Sequence, residues 1–156
     1  MIGDWHPQWI LVLGTMYAMV LGGAIGFERE MKDRPAGFRT HMLVSGAASL
    51  LVGLGPLILS DPAFTGRGES LRLDPIRLVE ATITGVAFIG AGTIFSHRSK
   101  EQVAGITTAA SLLMVAVIGI VVALRYYLLA LLVTALTLGV LFGLGWIDRK
   151  FSRKNG

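Results

Sequence analysis

The stretch "IGFEREMKDRPAGFRT" gathers seven charged side chains: Glu28, Arg29, Glu30, Lys32, Asp33, Arg34 and Arg39. Carboxylates and cations mixed this densely can bind a cation, hold an anionic group, or pair with one another. Glu28–Lys32 and Glu30–Arg34 stand at i,i+4, the spacing at which opposite charges meet on a helix. Pro35 then predicts a break, and Gly37 a turn into the next element. Arg39 is expected to pair with Glu28, with Glu30 or with a bound anion, because its planar fork suits a carboxylate. By composition alone, this stretch reads as a charge girdle that fixes depth in a membrane rather than as a docking or ion-entry surface.

A second group is "DPIRLVEA". Asp74 is a natural N-cap and Pro75 fits the first helical position. Arg77 and Glu80, at i,i+3, could pair. Glu80 lies inside an apolar run, where ionisable groups usually face a protein interior or a wet cavity, yet one turn deep it can still reach the interface. Asp74 and Glu80 are therefore the candidate Mg²⁺ ligands, although a six-coordinate, reluctantly dehydrated ion wants more oxygens than two. The hydroxyls of Thr107, Thr108 and Ser111 are expected to bond within their own helix or to a neighbour.

Other chemistries lack their residues. There is no cysteine, which excludes disulfides and thiolate sites. His6, His41 and His97 are isolated and fit no metal-ligand spacing. "FIGAGTIF" contains Gly90 and Gly92, but residue 95 is Phe where a dinucleotide fingerprint needs glycine. No hydrolase or metalloprotease pattern is present, and no cofactor is expected. The chain reads as non-enzymatic.

The elements that carry these residues follow from composition. The 156 residues are 53% hydrophobic and only 15% charged, with a mean hydropathy of +0.67. Soluble domains carry about a quarter charged residues. Five apolar runs, Trp9–Phe27, Met42–Leu59, Leu78–Phe95, Val103–Leu124 and Tyr126–Trp146, meet the roughly 17–25 residues a helix needs to cross a bilayer. They must be helical, because an isolated strand in lipid leaves its backbone groups unpaired. The expected fold is an all-α integral membrane domain over residues 1–148 with a short basic tail over 149–156. Arg125, Tyr126 and Tyr127 predict a tight interfacial turn between the last two spans.

Charge asymmetry predicts orientation. Ten Lys and Arg residues fall in the Glu28–Thr40 loop, the Ser96–Gln102 loop and the tail, against four on the other side (Arg67, Arg72, Arg77 and Arg125). Positive charge marks the cytoplasm. The N-terminus is therefore expected outside and the C-terminus inside. The pI near 9.9 suits anionic lipid headgroups rather than nucleic acid.

Sliding the sequence by 68 residues lays Ala36–Thr40 on Ala104–Thr108, Gly22 on Gly90 and Phe27 on Phe95. The short match fits either chance recurrence of small residues or two parallel hairpin repeats, spans 1–2 and 3–4, with span 5 added. Gly22/Gly26, Gly119/Ala123 and Gly139/Gly143 are expected to let helix backbones approach closely.

The ordered motifs "GGAIGFERE", "RPAGFRTHMLVSGAASL", "DPIRLVEATITGVAFIGAGTIF" and "VAGITTAASLLMVAVIG" resemble the MgtC/SapB family of bacterial membrane proteins, over residues 22–119. The resemblance implies a multi-pass inner-membrane protein associated with growth in low magnesium and, in some pathogens, survival inside host cells. It implies a regulator of membrane partners rather than an established magnesium transporter, with a cation transporter or channel as the alternative. It leaves open association with another membrane protein or with further copies of the chain. The family pattern falls on Glu28, Arg29, Glu30, Gly37, Arg39, Thr40, Asp74, Arg77, Gly90, Gly92, Gly105, Thr107 and Thr108. Arg34 and Glu80 join them as candidate site residues. Departures stand at Ala81, where the family has glutamine, near Leu113, where it has tryptophan, and in "IVVALR" after Gly119. By the same resemblance, the chain is expected to be a short form, without the C-terminal domain of the virulence-factor branch.

Overall fold

A computed structural model describes residues 5–60, 74–96, 98–99, 102–103 and 105–152, with side chains over 6–60, 74–94 and 105–143. Among the described residues are five helices: α1 Trp5–Met31, α2 Phe38–Ser60, α3 Pro75–Ser96, α4 Ile106–Ala123 and α5 Tyr127–Ser152. Between α3 and α4, β1 (Arg98–Ser99) pairs antiparallel with β2 (Gln102–Val103) in a two-residue ribbon. Four helices are long and apolar enough to cross a membrane, and α5 is apolar over Tyr127–Gly143.

Helices outrun the apolar stretches wherever charged residues can continue the spiral. α1 carries Glu28, Arg29 and Glu30 and stops at Met31. Its end is a Schellman motif: Arg34 N–H donates to Arg29 O and Asp33 N–H to Glu30 O, with Asp33 left-handed at φ 52°. α4 ends the same way, with Tyr126 N–H on Val121 O, Arg125 N–H on Val122 O and Arg125 at φ 65°. That motif builds the tight turn expected between the last two spans. α4 begins at Ile106 rather than Val103 because Gly105, at φ 100°, reverses the chain at the N-cap.

α4 is the central helix and packs against all four others. Leu112, Val115, Ala116 and Ile118 on it are fully buried. Small residues set the spacing, as they must where lipid removes the hydrophobic drive between helices. A Cβ on Gly22 would strike Ser45 Cβ at 2.6 Å and His41 O at 2.7 Å, and one on Gly119 would strike Ser45 O. Ser45 is thus the point where α1, α2 and α4 come closest. Gly139 and Gly143 have nothing within 4 Å of where a Cβ would stand, so this expected packing pair is open in the single chain.

The 68-residue offset has a structural counterpart. Gly22 approaches His41 on α2, and Gly90 approaches Ala109 on α4, with its Cβ position 3.3 Å from Ala109 Cβ. Both members of each pair are related by the same offset. Gly37 and Gly105 likewise stand just before a helix, their carbonyls accepting from His41 N–H and Ala109 N–H.

Candidate functional site

The motif residues gather where α1 ends and α2 and α4 begin, called here the basic end. α1 brings Glu28, Arg29 and Lys32, because i,i+1,i+4 spacing keeps them on adjoining helix faces. Glu28 is 1% exposed and Arg29 4%. Glu28 pairs with Lys32, as the spacing predicted, and lies 4.0 Å from Arg29 Nη1. Arg29 Nη2 donates to Thr108 Oγ1 on α4 at 3.1 Å. Lys32 Nζ also donates to Leu141 O on α5 at 2.8 Å and stands 5.4 Å from the centre of the Phe142 ring, within cation–π range. Burying a carboxylate is tolerable only with such partners.

His41 on α2 completes the cluster and is fully buried. Its Nδ1 lies 2.9 Å from Gly37 O and its Nε2 2.9 Å from Ser111 Oγ. A carbonyl only accepts, so Nδ1 carries a proton. In the neutral ring Nε2 then accepts from Ser111, whose Oγ also lies 2.8 Å from Thr108 O. One hydroxyl proton faces two acceptors. The imidazolium form makes both contacts together, with Nε2–H donating to Ser111 and Ser111 donating to Thr108 O. In the sequence His41 stands isolated from any other candidate ligand. The available signal was the imidazole three residues into α2, heading the i,i+4 row His41, Ser45, Ser49.

Glu30 and Gly37 form a separate device. Glu30 Oε2 accepts from Phe38 N–H at 2.7 Å and so caps α2. A Cβ on Gly37 would meet that oxygen at 2.6 Å. A side chain at Gly37 would therefore push the Glu30 carboxylate off Phe38 N–H unless that flexible side chain moved, and Gly37 has no positive φ. The expected Glu30–Arg34 pair is not made, since the left-handed Asp33 takes Arg34 off the helix. Arg39 is exposed and forms no ion pair with a described residue, which corrects its expected pairing with Glu28 or Glu30. Arg34 and Thr107 are also exposed, and Thr40 is half-buried.

The remaining candidates lie elsewhere. Asp74 caps α3, its Oδ1 accepting from Ile76 N–H at 2.9 Å, at the end of the bundle opposite the basic end. Arg77 and Glu80 are both exposed and make no ion pair with each other. Gly90 is buried against α4, Gly92 is open, and Gly105 presses on Thr93 O. Among the described residues no three His, Cys, Asp or Glu converge as a metal site, with Asp74 and Glu80 or without them. Near the same end as Asp74, a cavity of about 180 Å³ is lined by Ser49, Gly53, Arg125 and Tyr127 among apolar residues. The hydroxyls of Ser45, Ser49 and Thr15 are buried without a hydrogen-bond partner.

A bundle of apolar helices joined at one end by a buried ion-pair and hydroxyl network defines a polytopic membrane protein. The chain belongs to the MgtC family, whose model matches residues 15–150. It is 32% identical over 155 residues to an uncharacterized protein of Haemophilus influenzae, covering 96% of this chain and 63% of that one. It is 34% identical over 130 residues to "Putative magnesium transporter YhiD" of Escherichia coli (strain K12), covering 83% and 58%. It is 30% identical over 153 residues to Protein SapB of Bacillus subtilis, covering 96% and 63%. The chain thus spans about six-tenths of the length of these relatives. No solved structure matches it.

Proposed function

We propose that this chain is a non-enzymatic protein of the bacterial inner membrane, N-terminus outside, that binds and regulates membrane partners during adaptation to low magnesium. The observation that carries this reading is the buried cluster, whose charged groups pair chiefly with one another, although Arg29 Nε makes no hydrogen bond. Glu28 is neutralised by Lys32 and Arg29, and Arg29, His41, Thr108 and Ser111 bond one another. Polar groups spent on each other hold four helices in one arrangement and leave the exposed Arg34 and Arg39 to meet a partner. The low-magnesium link comes from the family.

A cation transporter or channel is the second reading. It is favoured by the unpartnered hydroxyl of Ser49 on the cavity wall, with those of Thr15 and Ser45 buried elsewhere in the bundle, and by the printed name of the Escherichia coli relative. Purified chain in liposomes loaded with a Mg²⁺ indicator discriminates the two. The expected result is Mg²⁺ entry no faster than in protein-free liposomes. Robust entry that Ser49→Ala reduces would establish the transporter instead.

A further inference from the structure

α3, like α5, is a span the bundle covers little. Only 17% of its apolar window is buried, against 50% for α4, and it packs chiefly on α4 and less on α2. Its exposed residues include Arg77, Glu80, Ala81, Thr84, Gly85, Phe88 and Gly92. At 100° per residue they fall within an arc of about 140°. Such a face is poorly suited to lipid. It holds a carboxylate and a guanidinium in the first two turns of the helix, close enough to the interface to reach it but turned away from the bundle. Both are exposed, and they make no ion pair with each other.

The shape of this face points the same way. Phe88 is 84% exposed, the most exposed large hydrophobic among the described residues. Gly85 and Gly92 flank it three and four residues away, and neither has an atom within 4 Å of its missing Cβ. A projecting ring beside two open notches on one helix face is self-complementary.

We infer that α3 is the contact helix of a symmetric dimer of this chain, its two-fold axis along the membrane normal. That axis sets each residue at the same depth in both copies, as an isologous interface requires. Arg77 and Glu80 differ by three residues, or about 4.5 Å of rise, which an arginine side chain bridges. Each Arg77 then meets the other copy's Glu80, and each Phe88 enters the notch at the other copy's Gly85 and Gly92. Two charge pairs and two ring-in-notch contacts form together, and no second protein is needed to satisfy them. A dimer through α3 is independent of whether the chain regulates a partner or moves a cation.

The absence of cysteine makes the test direct. Single Cys variants Thr84→Cys, Gly85→Cys and Gly92→Cys are oxidised in native membranes, with Leu136→Cys as control, since Leu136 is 70% exposed on α5. The α3 variants are expected to give disulfide-linked species of twice the chain mass, at least tenfold more than the control. Cross-linking no better than the control, or adducts of another mass, overturns the inference and assigns the face to lipid or to a different protein. In the Gly92→Cys background, Arg77→Glu and Glu80→Arg should each reduce the dimer several-fold, and combining them in one chain should restore it. A combination no better than either single change overturns the reciprocal pairing. Gly85→Leu fills open space in the single chain, so it should keep monomer abundance while abolishing the dimer; a dimer of undiminished yield overturns the notch.

Discussion

Arg29 is the residue on which the buried cluster turns, because it touches both the carboxylate of its own helix and a hydroxyl on α4. Its bond to Thr108 is charge-assisted and buried, a class that contributes about 1.5–3 kcal/mol. A double-mutant cycle isolates that contribution from the lost packing of each side chain. Arg29→Ala and Thr108→Val are expected to destabilise the chain separately, with a coupling of about 1.5–3 kcal/mol in reversible unfolding from mixed micelles. Additive effects would mean that the two side chains are mere neighbours. Arg39, exposed and without an ion pair to a described residue, carries no such coupling to Glu28 or Glu30. The pairs legible in the sequence are those whose separation a single helix dictates, Glu28 with Lys32, or a helix start, Asp74 on α3. Arg29 with Thr108 and His41 with Ser111 lie 79 and 70 residues apart. Nothing in local spacing brings those together; the crossing of α1, α2 and α4 does.

That crossing is an element-scale property set by absent side chains. Ser45 on α2 is wedged between Gly22 of α1 and Gly119 of α4, and the His41 cluster lies one turn further along the same face. Gly119→Ala would press a methyl group into Ser45 O, backbone that cannot move aside without shifting α2. Overpacking of this kind costs about 1–3 kcal/mol, and the loss should appear as a lower unfolding midpoint in detergent. Gly139→Ala on α5 meets open space and should leave the midpoint nearly unchanged or raise it slightly, since alanine favours the helix. Equal losses at both positions would disprove that the α1–α2–α4 crossing is the tight one. Apolar run length made the five helices legible, and small-residue spacing made Gly22 and Gly119 legible as contacts. At Gly139 and Gly143 the same spacing marks a face that meets no other helix of the single chain, because a sequence pattern does not say which helix face meets a neighbour. Helix ends were harder still. Two of them rest on left-handed Asp33 and Arg125, residues that carry none of glycine's usual signal for that conformation.

At the scale of the molecule, the bundle has the same internal contacts whichever way it sits in a membrane. Packing therefore cannot choose an orientation, and the charges outside the apolar spans must. Lys32, Arg34 and Arg39 cluster at the basic end, and Arg149 and Lys150 follow on α5 as it runs to Ser152. With an odd number of crossings the two termini face opposite sides, so fixing one fixes the other. Lys and Arg resist translocation when they lie close to a span, and four of these five carry their charge within a few residues of an apolar stretch's end. Moving the basic end across would carry ten such residues through the membrane, against four for the opposite arrangement. A fluorescent-protein fusion at Gly156 is expected to glow and a phosphatase fusion there to be inactive, with the reverse for insertions between residues 61 and 73. An active phosphatase at Gly156 with an inactive one in that loop would invert the orientation. Activity on the same side at both sites would mean that α5 does not cross, and that Lys32 ties α1 to a helix lying on the membrane surface instead.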